Sequence, residues 1–222
     1  MKEQLITANV ATNLYWLGRY IERLESSLVQ ILLAYDNIID VQKDAGVLLY
    51  NKLGISIEYE SAMDFLKEAI SGEHTANLAL ISSFARENAI ISRPYINTEM
   101  FGEIIALHNL FTNISKSHVD LDYKLIDAAQ SLISEIWGEL AKRKYKKFSD
   151  NFIKLGKLVE EADFLFRMNE ADGYISSVID DIHHILDVLS DENAKTSQTL
   201  GVEDSKKIMQ AIYARIDNII VE

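Results

Sequence analysis

Three sets of charged residues in this sequence sit at spacings that could do chemistry. In the first, Arg19 and Glu22 are three residues apart and Arg19 and Arg23 four apart, which makes them neighbours on one helical face. In the second, Phe84-Ala-Arg-Glu-Asn-Ala-Ile-Ile-Ser-Arg93, Arg86 and Arg93 are seven apart and share a face, with Glu87 one step round. Two arginines on one face suit a phosphate or carboxylate, or the acids of a facing helix. Glutamates such as Glu22 and Glu87, with arginines beside them, could also act as acid and base with oxyanion clamps. The third set is a weaker copy of the first. Residues 13–25 read Asn-Leu-Tyr-Trp-Leu-Gly-Arg-Tyr-Ile-Glu-Arg-Leu-Glu, and residues 151–163 read Asn-Phe-Ile-Lys-Leu-Gly-Lys-Leu-Val-Glu-Glu-Ala-Asp. Asn13, Leu17, Gly18 and Glu22 recur as Asn151, Leu155, Gly156 and Glu160, and Arg19 recurs as Lys157.

Packing explains part of this. Both copies keep apolar residues at alternating spacings of three and four, Leu14, Leu17, Ile21, Leu24, Leu28 and Phe152, Leu155, Val159, Ala162, Phe166. That is one stripe of an α-helix. Packing does not explain why charged residues repeat in step with the stripe. Gly18 costs a helix interior about 1 kcal/mol relative to Ala, and a glycine in both copies predicts another backbone close by. Glu22, Arg23, Arg86 and Glu87 are expected to form one partly buried cluster, Glu22 pairing with Arg86 and Arg23 with Glu87. Four charges near a bundle core are costly without partners.

The elements that must carry these residues are helices. One proline and nine glycines in 222 residues leave long helices uninterrupted, and 48% hydrophobic residues suffice for a sizeable core. The expected fold is all-α, a bundle of long helices forming one domain over residues 1–222. Helices are predicted at about 7–41, 44–53, 62–70 with Ser61 as cap, 75–93, 98–114 with Asn97 or Thr98 as cap, 120–148, 150–169 with Ser149 as cap, 171–189 and 205–220. Leu53–Tyr59 alternates weakly, but one short run makes no sheet.

Composition narrows function further. A net charge of −12 disfavours nucleic-acid and anionic-membrane binding. The absence of cysteine excludes thiol chemistry and Cys-based metal sites. No apolar run is long enough for a signal peptide or a membrane span, and a cytoplasmic location fits. The His pair of Asp180-Asp181-Ile-His183-His184 reads as solvated, or as supporting other groups, rather than as metal ligands, since a carboxylate-bridged di-metal bundle needs Glu-x-x-His on two helices. The sequence has none. The basic run 142–147 reads as a solvated helix end. No cofactor-binding loop is present.

The residues quoted above resemble the alpha-E family, bacterial helical proteins named for a Glu-Arg motif. The matching pieces are Asn13–Arg23, Ala85-Arg-Glu-Asn-Ala89 followed by Arg93, and Leu155–Glu160. The family's late copy usually also reads Glu-Arg, whereas here Glu160 is followed by Glu161. The resemblance therefore puts the weight on Glu22, Arg23, Arg86 and Glu87, with Arg19, Asn88, Arg93 and Glu160 completing the expected polar surface. It implies no assigned reaction. It does imply association with a circularly permuted ATP-grasp ligase and a transglutaminase-like peptidase, in a system that makes or trims peptide or amide bonds. The expected role is that of a non-catalytic accessory or binding protein. The alternative is an enzyme using the Glu/Arg cluster for acid–base or amide-bond chemistry.

Overall fold

The computed structural model describes residues 6–116, 123–143, 147–169, 172–190 and 205–221. Among these are nine helices and no strand. They are α1 (Ala8–Asp40), α2 (Ala45–Lys52), α3 (Ala62–Ser71), α4 (Leu78–Ile91), α5 (Thr98–Lys116), α6 (Tyr123–Ala141), α7 (Phe148–Met168), α8 (Asp172–Leu189) and α9 (Ser205–Val221). The all-helical expectation holds. Residue contacts divide the chain into two compact units, one of residues 1–19 and 145–222, the other of residues 20–144.

Local chemistry sets several helix ends. Ser61 caps α3 by accepting from the Asp64 N–H at 3.1 Å. Asn97 does the same for α5, accepting from the Met100 N–H at 3.1 Å. Three ends differ from the sequence expectation. α4 begins at Leu78 rather than near Thr75, because Asn77 takes the Leu80 N–H at 2.7 Å and its amide bonds back to the carbonyls of Gly72 and His74. α6 stops at Ala141 rather than continuing to Phe148. Arg143 leaves the helix and donates to the Tyr95 carbonyl at 3.3 Å. α7 begins at Phe148 with Lys147 as its N-terminal flank, so Ser149 lies inside the first turn and is not the cap. The Asp150 carboxylate accepts from the Lys147 N–H at 3.0 Å and does the capping instead. At its other end α7 closes on Asn169, whose left-handed φ of 56° is tolerated by asparagine better than by most side chains.

In the first unit, the beginning of α1 packs on α7, α7 on α8, and α8 on α9. Leu14, Leu17, Leu155, Val159, Ile182, Leu186 and Ile212 are buried there. In the second unit, α5 packs on α4 and α6, and α3 on α4 and α5. Ile21, Leu24, Leu28, Phe65, Ile81, Phe111 and Ile133 are buried there.

The repeated glycines are where α1 and α7 touch. A Cβ on Gly18 would collide with the Ile153 carbonyl and reach 3.0 Å from the Lys157 backbone nitrogen. A Cβ on Gly156 would collide with the Tyr15 carbonyl and reach 3.0 Å from the Arg19 backbone nitrogen. The arrangement is reciprocal. Each glycine meets the carbonyl three residues before the other glycine and the nitrogen one residue after it. The sequence repeat is thus a local two-fold relation between two helix segments. Backbone on backbone cannot relax as a flexible side chain does, so alanine at Gly156 should destabilise by about 1–3 kcal/mol despite its better helix propensity. Gly138, in α6 with nothing near its would-be Cβ, is the matched control. Gly138→Ala should stabilise by roughly 0.5–1 kcal/mol. Urea denaturation of the two variants checks the contrast, and equal effects would contradict the close-crossing account.

Candidate functional site

The crossing creates a polar site one residue along from Gly18. Arg19 is 6% exposed and Glu160 3% exposed. The Arg19 Nε donates to Glu160 Oε2 at 2.7 Å, and Nη2 reaches the same oxygen at 2.7 Å. Nη1 donates to the Tyr15 hydroxyl at 3.5 Å. Asp163, one turn beyond Glu160, lies 3.9 Å from Nη2 and also accepts from Arg167 at 3.1 Å. Three rings surround the guanidinium, with their centroids 5.1 Å (Trp16), 5.7 Å (Tyr213) and 5.9 Å (Tyr15) from its central carbon. Aromatic faces attract a desolvated cation electrostatically.

Ionisation in the site follows from burial. Burial is the largest influence on Arg19 and disfavours its charged form, but the Glu160 carboxylate, the hydrogen bond to it and the Tyr15 and Tyr213 phenols together outweigh burial and raise the guanidinium above its ordinary value. Arg19 therefore stays a cation and is no proton donor. Burial pushes the Tyr15 phenol up to about 12, against the opposing pull of the Arg19 cation. Burial raises Tyr213 as well, with Arg19 again opposing. At neutral pH the site holds one buried ion pair flanked by neutral phenols.

The other expected residues lie in the second unit and divide into two groups. Glu22, within the Glu22-Arg23 pair, is buried, and its Oε1 accepts from Ser26 one turn on at 2.8 Å. Arg23 is half-buried over the Tyr20 ring, 5.9 Å from its centroid. Arg86, by contrast, bonds Glu87, its neighbour in sequence, and both side chains reach solvent. The expected cross-helix pairs, Glu22 with Arg86 and Arg23 with Glu87, do not form among the described residues. The reason lies in the face α4 buries. Leu78, Ile81, Ser82, Ala85 and Ala89 point inward, which turns Arg86 and Glu87 outward. Asn88 donates to the Phe84 carbonyl at 2.7 Å. Arg93 donates to the Ile96 carbonyl and the Thr98 hydroxyl and lies 4.7 Å from the Phe101 centroid. Glu161, at the reversed-charge position, accepts from the Tyr174 hydroxyl on α8 at 2.5 Å.

Among the described residues no group of three or more His, Cys, Asp or Glu could hold a metal ion, and no helix is long and apolar enough to cross a membrane. The description of a predicted alpha-helical domain with a conserved ER motif matches residues 6–213 of this sequence. The chain belongs to the Alpha-E family. No curated protein and no solved structure matches it. In this Alpha-E chain the Glu-Arg pair is Glu22-Arg23, one turn along α1 from the glycine crossing.

Sequence reasoning missed Tyr15, Tyr213 and Asp163 as parts of the Arg19 site. Tyr15 was signalled, being one turn before Arg19. Tyr213 carries no signal, since it arrives from the last helix.

Two outcomes follow. Glu160→Gln leaves Arg19 buried without its counter-charge and should cost about 3–5 kcal/mol in chemical denaturation. A loss below 1 kcal/mol would mean the pair is solvated. The raised Tyr15 pKa also gives a pH dependence. Between pH 10 and about 12 the unfolded chain releases the Tyr15 proton and the folded chain keeps it, so stability falls as pH rises through that window. Tyr15→Phe should remove up to about 2–3 kcal/mol of that fall. Identical slopes for the two proteins would show that Tyr15 is not held neutral.

Proposed function

We propose that this Alpha-E protein is a non-catalytic accessory protein that docks the ATP-grasp ligase of a peptide or amide bond-forming system in a bacterial cytoplasm. A transglutaminase-like peptidase would act in the same system. The observation that carries the reading is the outward face of α4. Phe84, Ile90 and Ile91 are 42%, 40% and 49% exposed, and Arg86, Glu87 and Asn88 lie among them. Large apolar side chains displayed together on one short helix suit a protein interface. Tyr20 extends the face, its ring 5.4 Å from that of Phe84, and Arg23 lies over Tyr20. Arg23, Arg86 and Arg93 stand against one outward carboxylate, Glu87, which is bonded to Arg86. A small positive excess therefore remains in a chain of net charge −12, which fits a partner segment with apolar anchors and flanking carboxylates.

The buried pair supports the same reading from the other side. Arg19 is already engaged by Glu160, the Tyr15 hydroxyl and the rings of Tyr15, Trp16 and Tyr213, so it supplies rigidity and is not poised to clamp a substrate. A catalytic reading would pair Glu22 with Glu87 as acid and base, but Glu87 stands on the solvent side bonded to Arg86. The test is titration calorimetry of the purified ligase with wild-type protein and with Ile91→Glu. Wild type should bind at micromolar or tighter Kd. Ile91→Glu should weaken binding by at least tenfold with unchanged thermal unfolding, because an exposed position tolerates the change. Equal binding by the variant would remove α4 as the docking face. ATP-dependent ligation by this protein alone would overturn the non-catalytic reading.

A further inference from the structure

His183 has a cross-helix partner in the structure. Arg215 on α9 places Nη1 3.0 Å from His183 Nδ1 on α8, and Nη2 2.7 Å from Asp187 Oδ1 one turn further along α8. A guanidinium has only donors. The contact at 3.0 Å is therefore an N–H given to a bare imidazole nitrogen, which fixes His183 as the neutral tautomer protonated at Nε2. A proton arriving at Nδ1 would replace that acceptor with a donor and set two cations face to face.

Two residues before Arg215 on the same helix is Tyr213, which lies against the guanidinium of Arg19. α9 thus covers one side of the buried Arg19–Glu160 pair. It is held by an apolar face, Ile208, Met209, Ile212 and Ile216, and by the polar contact through Arg215. We propose that Arg215, His183 and Asp187 form an acid-sensitive latch that closes α9 over the Arg19–Glu160 pair, and that protonation of His183 loosens it.

The charges acting on His183 support the direction. Burial lowers its pKa below the ordinary 6.5, and Arg215 from α9 adds to this. Asp187 and Asp180 from its own helix oppose, and no charged group of α7 acts on it among the described residues. With the folded value depressed, the latch is intact above pH 6.5 and is lost as pH falls through the folded pKa. The apolar face keeps α9 in place on average. The expected change is a more frequent opening, about tenfold for one charge-assisted hydrogen bond.

Amide hydrogen exchange of the full chain tests this, comparing peptides from α9 and α7 at pH 7.5 and 5.5 after correction for intrinsic exchange. α9 in wild type should open about tenfold more at pH 5.5, with α7 unchanged. His183→Asn keeps an acceptor near the Nδ1 position but cannot titrate, so its α9 protection should not depend on pH. His183→Lys should open α9 at pH 7.5 already. The latch is overturned if wild type and His183→Asn respond alike to acid. It is equally overturned if α9 is unchanged at pH 5.5, or if α7 loses protection together with α9, which would be general acid unfolding.

Discussion

The contact between two helix backbones at Gly18 and Gly156 is the constraint on which the Arg19 site depends. Where a carbonyl of one helix sits against the Cα of the other, no side chain separates the two. An arginine one residue further along then reaches a glutamate one turn further on without crossing solvent. The Arg19–Glu160 bonds of 2.7 Å follow from that approach. With a larger residue at either glycine the axes would separate, and the two charges would be left buried and apart. That is the costly arrangement for ions removed from water. The glycines and the ion pair form a single device, with the arginine supplied by one copy of the repeat and the glutamate by the other.

Alpha-E is described by its ER motif, and this chain shows two uses of charge along α1, α4 and α7. One set is turned inward and satisfied by the protein itself, as Arg19 and Glu160 are. The other is turned outward beside exposed apolar side chains, as Arg86 and Glu87 are. Inward charges fix geometry, because an alternative packing would strand them. Outward charges beside Phe84 and Ile91 pair with each other and face solvent. The proposed role as a docking protein rests on this division.

Much of the fold was legible because helix signals are local. The apolar stripes of residues 14–28 and 152–159 and the caps at Ser61 and Asn97 each involve residues within a turn or two of one another. The glycine crossing was legible for a different reason: its two halves are copies, so one reports on the other. The partner of Arg19 was harder. Glu160 is 141 residues away, and nothing in the spacing distinguishes it from Glu22 or Asp163 as the acid of choice. The outward turn of Arg86 and Glu87 depended on which face of α4 is buried. Small residues settled that, Ser82, Ala85 and Ala89, which carry a weak hydrophobic signal. The Arg215–His183 contact joins two helices whose sequences carry no mark of each other. At α6, helix-favouring residues beyond Ala141 suggested continuation, yet the helix ends at Ala141 and the Arg143 side chain donates to the Tyr95 carbonyl.

The central claim is that the buried pair holds the structure while recognition happens elsewhere. A double-mutant cycle on Arg19→Met and Glu160→Leu, read by both denaturation and ligase binding, tests it most directly. Each single change strands one buried charge, whereas the double change replaces the pair with apolar groups of similar size. The account predicts that the double variant regains most of the stability lost by either single variant and binds the ligase as wild type does. A double variant that is stable but has lost ligase binding would contradict it, because the ion pair itself would then be the recognition element.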